Sequence, residues 1–300
     1  MSETAWLSVF VNYLANEKNY SPLTIRGYEK DIRRFFQYLE ESGSLPADLT
    51  LDYLDVRSYL SWLYDQKYAR NSIGRKISSL RSFYQFLLKN GAVKENPFSY
   101  LHLHKKAQRL PHFFYEDEME ALFEAARGEA PLDLRNCALL ETFYATGLRV
   151  SEAVALKVGE IDFETGIVLL HGKGQKDRYV PIGGFALDAL EVYFDKCRTP
   201  LMAKYQKEHP FVFVSRWGDA ITARGIRYVF QKIIERGSLS KDLHPHMLRH
   251  TFATVMLDNG ADLRTVQELL GHASLSSTQI YTHVTTKKMQ ENYRHFFPRA

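Results

Sequence analysis

Near the C-terminus His246-Met247-Leu248-Arg249-His250 is followed by Leu270-Gly271-His272 and then by Thr278-Gln279-Ile280-Tyr281. Upstream stand Arg149, in Thr146-Gly147-Leu148-Arg149-Val150-Ser151-Glu152, and Lys173, in His171-Gly172-Lys173-Gly174. A phenol with a pKa near ~10 is a weak nucleophile at neutral pH and needs a proton acceptor, while a phosphodiester under attack needs its charge held. Histidines meet the first need and arginines the second, so the set suits attack by a tyrosine hydroxyl on a phosphodiester. Each residue also has a blander reading: a packed histidine, an arginine in an ion pair with Glu152, one tyrosine among 18. A zinc pair is disfavoured, because Met247 stands where a His-Glu-x-x-His motif needs its glutamate. A phosphate-cradling P-loop is disfavoured as well, since Gly174 follows Lys173 where that motif needs Ser or Thr.

The elements that must carry these residues read as mainly helical. On a helix, positions 246, 249 and 250 share one face. Arg149 falls where a glycine breaks one helix and the next begins near Val150, a place where an arginine fork and backbone N–H groups can meet a phosphate. Ile167-Val168-Leu169-Leu170 and Tyr179-Val180-Pro181-Ile182 flank a glycine-rich basic tip holding Lys173, Lys176 and Arg178, which predicts a β-hairpin. Further helices are expected over 116–127, 132–144, 183–196, 222–236, 246–258, 262–270 and 285–295. The first ninety residues carry four amphipathic patterns with short connections, and Ser21-Pro22 marks one helix start and Asn71 or Ser72 another. Such a pattern predicts a four-helix bundle over 1–92, a proline-bounded linker over 93–112 and a second domain over 113–300.

Composition sets the surroundings. A hydrophobic content of 45% over 300 residues suits two domains, each with its own core. No apolar run approaches the ~18 residues of a membrane span, and the N-terminus lacks the pattern of a secretory signal, so a cytoplasmic protein is expected. Two cysteines, Cys137 and Cys197, offer neither a disulfide framework nor zinc-ligand spacing. Charge is segregated: residues 1–66 hold six Lys/Arg against ten Asp/Glu, a net of −4, and 67–106 hold nine against one, a net of +8. In the second segment Lys67, Arg70, Arg75, Lys76 and Arg81 alternate with Ile73, Ile77, Leu80, Phe83 and Tyr84 at helical spacing. That reads as a core stripe with a basic face turned to a polyanion, and Arg75, Lys76 and Arg81 are the candidate DNA contacts there.

Together the separated motifs resemble the tyrosine recombinase, or phage integrase, family and within it the bacterial Xer recombinases, over nearly the whole chain. The resemblance implies an N-terminal four-helix SAM-like bundle followed by an α+β catalytic domain, clamped on double-stranded DNA. It implies Arg149 and Arg249 as phosphate-binding arginines and His246 as proton acceptor. His272 would be a hydrogen-bond donor to the phosphate, Lys173 the acid that protonates the departing 5′ oxygen, and Tyr281 the nucleophile. Lys176 and Arg178 are expected to contact the DNA backbone, and no cofactor or metal is required. The implied partners are a recombination site, a sister Xer recombinase in a heterotetramer on two sites, C-terminal residues docking into a neighbour, and a septal DNA translocase. A phage- or mobile-element integrase and a type IB topoisomerase share the chemistry and are the alternatives, while a regulator that binds without cutting would leave Arg149, Lys173 and Tyr281 without a joint purpose.

Overall fold

The computed structural model describes residues 2–101, 113–172, 177–239, 245–271, 290 and 292–299. Two compact units emerge, Met1–Gln108 and Arg109–Ala300.

The first unit is built from α1 (Glu3–Asn16), α2 (Pro22–Glu41), α3 (Tyr53–Asp65) and α4 (Arg70–Lys89). Local chemistry sets the starts of α2 and α3. Ser21 Oγ accepts from the Thr24 N–H with Pro22 in the first turn, and Asp52 and Asp55 exchange side-chain-to-backbone bonds of 2.9 Å in a capping box. Neither Asn71 nor Ser72 caps α4; the helix starts at Arg70 after an Ala69 that makes no side-chain cap. Its stability comes from the buried stripe of Ile73, Ile77, Leu80, Phe83, Tyr84 and Leu87, and packing commonly outweighs a missing cap. Aromatic rings fill the centre, with Phe10 edge-on to Phe83 at 5.2 Å and Phe35 edge-on to Phe98 at 5.4 Å. Each such pair contributes about 0.5–1.5 kcal/mol beyond its buried area.

Phe98 lies in a segment whose prolines and lost periodicity read as linker. Residues 93–101 are instead folded onto the bundle, with Val93, Phe98 and Leu101 buried in its core. Arg81 is the reason: its Nε donates to the Phe98 carbonyl at 3.0 Å and its Nη2 to the Leu101 carbonyl at 2.8 Å. The rest of the expected linker, 102–112, lies outside the described residues.

The second unit contains α5 (Glu116–Ala126), α6 (Pro131–Thr146), α7 (Val150–Ala155), α8 (Gly184–Tyr193), α9 (Thr199–Lys204), α10 (Ala223–Arg236), α11 (Pro245–Asp258) and α12 (Leu263–Leu270). A small antiparallel sheet of order β1-β2-β3 joins β1 (Ile161–Asp162), β2 (Ile167–His171) and β3 (Asp177–Pro181). The protein is thus mainly helical with one small sheet. Val168 pairs with Val180, Leu170 with Arg178 and His171 with Asp177, so the first two pairs face the core. The helix expected over 183–196 runs further, through a π-helical turn at Phe194–Arg198 into α9. Pro200 accounts for the widened turn, because a proline removes one helical N–H and crowds the carbonyl four residues earlier.

Residues 292–299 pack on the same unit. Phe297 packs at a tilt against Tyr144 and Phe252, and Arg299 pairs with Glu141 between the rings of Phe123 and Phe185, 4.3 and 4.2 Å from their centres. Within this chain the C-terminal residues 297–299 fill this socket.

Candidate active site

Gly147 makes the site possible. It ends α6 with φ +58°, and a Cβ there would lie 2.8 Å from Phe252 Cδ1 and 2.9 Å from Leu270 Cδ2. Only a residue without a side chain satisfies both the left-handed backbone and the close approach of α11 and α12. The chain then enters α7, with Arg149 as its N-cap residue.

Glu152, one turn into α7, organises the surrounding cations. Its Oε2 accepts from the Arg149 backbone N–H at 2.7 Å and its Oε1 from Arg149 Nη1 at 2.8 Å. From β3, Arg178 donates Nη1 to Oε1 and Nη2 to Oε2, both at 2.9 Å, and Nε to the Leu269 carbonyl at 2.7 Å. Arg249, on α11, donates Nη1 to the Gly147 carbonyl at 2.7 Å and Nη2 to the Leu270 carbonyl. Two guanidinium groups therefore bond the Glu152 carboxylate, and a third, that of Arg249, lies close enough to feel its charge.

Their electrostatics follow from burial. Glu152 is nearly inaccessible, and burial alone would raise its pKa; the bonds and charge of Arg178, then the Arg149 N–H and guanidinium, outweigh this and hold it below the usual carboxylate range. Burial, then the positive charges of Arg149 and Arg178, push Arg249 down to about 10, with Glu152 opposing. Arg249 is still a cation at neutral pH. The Arg149 side chain retains a third of its exposure, which lets it reach a ligand while Glu152 fixes its other edge. His246 lies exposed on α11 one turn before the buried Arg249.

The structure thus brings Arg149 and Arg249 together, with His246 on the same helix as the second arginine. Lys173, Lys176, His272 and Tyr281 lie outside the described residues. Their described flanks are the two hairpin strands and Gly271, which ends α12 with φ +66° immediately before His272. Among the described residues no group of His, Cys, Asp and Glu is arranged to hold a metal ion.

Several expected DNA contacts have other partners. Lys76 is buried, 3.2 Å from Asp31 Oδ1 and over the Tyr68 ring. Arg75 also pairs with Asp31, with its side chain half exposed. Arg81 is half-buried and holds the 97–101 turn, while Lys76 and Arg178 are buried on Asp31 and Glu152 and not on a solvent face. Conversely α2 presents exposed Arg26 and Lys30, which with Arg34, the Arg33–Glu29 ion pair and the edge of Lys76 line a groove of about 440 Å³. The net acidity of the whole 1–66 segment hides this basic face in the sequence, where the i, i+4 spacing of Arg26 and Lys30 is its signal.

Two family models match the chain: the phage integrase family over residues 112–288, and the phage integrase N-terminal SAM-like domain over residues 7–91. The chain is 50% identical over 295 residues to tyrosine recombinase XerC of Pediococcus pentosaceus, covering 98% of each. It is also 50% identical over 293 residues to tyrosine recombinase XerC of Lacticaseibacillus casei, again covering 98% of each. A solved structure of the XerH site-specific recombinase bound to palindromic difH substrate, in a post-cleavage complex, is similar at TM-score 0.67 and 25% identity. That match covers 91% of this chain and 80% of the other. With helical bundle, small sheet, paired arginines and near-full-length relatives in agreement, the chain belongs to the phage integrase family and is a tyrosine recombinase.

Proposed function

We propose that the chain is a site-specific DNA recombinase that cuts and rejoins strands through a 3′-phosphotyrosyl intermediate. The observation that carries this reading is the convergence of Arg149 and Arg249 beside the Glu152 carboxylate, where among the described residues three arginines, Arg178 included, meet one carboxylate in a largely buried setting. Such a surplus suits the scissile phosphate, and preorganised cations in a water-poor site act strongly on developing charge.

In the proposed reaction the Tyr281 oxygen attacks phosphorus as its proton passes to His246. The new O–P bond forms as the P–O5′ bond breaks, and the departing oxygen takes a proton from Lys173 to leave a 5′-hydroxyl, with His272 donating to the phosphate. One phosphodiester replaces another, so no nucleotide hydrolysis is needed, and a 5′-hydroxyl of a second strand can reverse the step onto a new partner. Exposed Arg26 and Lys30 on α2 would add sequence-tolerant phosphate contacts from the first unit. The sister recombinase in a heterotetramer, the septal translocase, the cytoplasmic setting and a role in resolving chromosome dimers at cell division belong to the same proposal.

A nicked duplex that traps the covalent intermediate tests the reading. Tyr281→Phe is expected to bind DNA as wild type does and to give no adduct; a persisting adduct rejects Tyr281 as nucleophile. Strand exchange between two duplexes separates a recombinase from a topoisomerase, which would reseal only the strand it cut.

A further inference from the structure

We propose that Arg178 is a positioning residue that fixes the arginine pair through Glu152, and is not a DNA contact. This rests on the reading of Arg149 and Arg249 as the phosphate-binding pair. Arg178 occupies the inward-facing side of β3, opposite Leu170 and two residues before buried Val180, a place where the strand's alternation calls for an apolar side chain. Its residue retains 5% exposure, and its guanidinium is turned into the protein onto the Glu152 carboxylate.

Three of the five N–H groups of its guanidinium bond inside the protein, one from each nitrogen. Two go to the oxygens of Glu152 at 2.9 Å and one to the Leu269 carbonyl at 2.7 Å. The side chain also lies against Gly271, where an added Cβ would stand 3.1 Å from Arg178 Cδ. One side chain therefore ties three pieces together: the hairpin strand that follows Lys173, the helix start that carries Arg149, and the end of α12. The last of these supplies the Leu270 carbonyl that holds Arg249 and leads directly into His272.

Glu152 makes the coupling chemically specific. With Arg178 in place both carboxylate oxygens are engaged by a fork, and Arg149 needs to give only one side-chain N–H. Without Arg178, Glu152 is a buried anion with Arg149 as its remaining bonded cation, and the Arg149 fork is drawn to the carboxylate at the expense of the phosphate. Lysine cannot substitute, because a point charge does not bridge two oxygens while also donating to a carbonyl.

The test uses the full-length enzyme and a nicked duplex carrying its own site, recovered from DNA covalently attached to the wild-type protein. Arg178→Gln and Arg178→Lys are expected to lower the rate of adduct formation per bound complex on the order of 10²-fold, the scale of an ångström of misplacement. DNA affinity and its salt dependence should stay as in wild type. Two readouts separate positioning from general loosening. On a substrate with an uncharged methylphosphonate at the scissile position the Arg178→Gln deficit should shrink, since the arginine charge is no longer needed there. Adding Glu152→Gln to Arg178→Gln should cost no further rate. The inference is overturned if the salt slope falls by about 1 with the rate per complex unchanged, the signature of a lost phosphate contact. Equal loss on both substrates, or additive loss with Glu152→Gln, overturns it too. Arg149→Gln is the comparator: if it cleaves as wild type, the phosphate-pair reading fails; if it is slow and Arg178→Gln is not, only the positioning role fails.

Discussion

Arg249 Nη1 lies 2.7 Å from the Gly147 carbonyl oxygen, so an arginine of α11 is held by the residue that ends α6. The same glycine leaves no room for a side chain against Phe252 and Leu270, and so fixes both the packing and the acceptor.

Gly147→Ala should therefore cost stability and rate together. A left-handed alanine costs about 1–2 kcal/mol and overpacking about 1–3 kcal/mol more, giving roughly 2–5 kcal/mol by chemical denaturation. Single-turnover cleavage should slow even at temperatures where the variant is fully folded.

Arg249→Lys should fold and bind DNA yet cleave poorly. A lysine cannot span the Gly147 and Leu270 carbonyls and still present a fork to a phosphate. The expected loss is about 2–4 kcal/mol in the barrier, read from adduct formation on the nicked duplex. A near wild-type rate would remove Arg249 from the phosphate site.

Asp31 is fully buried among Arg75, Lys76 and Ser79, and Asp31→Ala should destabilise the first unit by roughly 3–5 kcal/mol because it strands the Lys76 charge. Lys76→Met should cost much less, since Asp31 keeps Arg75 and Ser79, and it should leave the salt dependence of DNA binding unchanged. Arg26→Ala with Lys30→Ala should instead flatten the log–log salt slope by about 2 if each makes one contact. A slope altered by Lys76→Met and not by the α2 pair would reverse this assignment of the DNA-facing surface.

The depressed pKa of Glu152 has a definite pH signature. A carboxylate with a folded pKa below its unfolded value near 4.5 contributes stability that is fully present above 4.5 and is lost as pH falls through the folded value. Urea denaturation of wild type and Glu152→Gln between about pH 5 and pH 3 should converge as pH falls. Parallel curves would mean that the carboxylate is not held in its ionised form by Arg178 and Arg149.

Much of this architecture was legible in the sequence, and the errors are instructive. Helical periodicity located the bundle helices, and the i, i+3 spacing of Arg149 and Glu152 announced their bond. Arg178 and Lys76 are buried where residue type alone suggests a solvent face. Yet both stood in the apolar register: Lys76 between Ile73 and Leu80 at helical spacing, Arg178 two residues before Val180 in a strand. Their partners Asp31 and Glu152 are 45 and 26 residues away in sequence, a separation no local pattern reports. The two-residue β1 and the π-helical turn at Phe194–Arg198 are too short or too irregular for periodicity to find.

Among the described residues Arg149, Arg178 and Arg249 crowd around the Glu152 carboxylate, and the charges of the first two weigh against that of Arg249. A bound polyanion would relieve this repulsion by adding counter-charge. Binding and folding draw on one free energy, so a ligand that meets only the native state raises its stability in proportion to RT ln(1 + [L]/Kd). Gains in stability from neutralising Arg249 or Arg149 would come at the expense of recognition, and resistance to unfolding without DNA is a poor guide to how well this enzyme is built for its task.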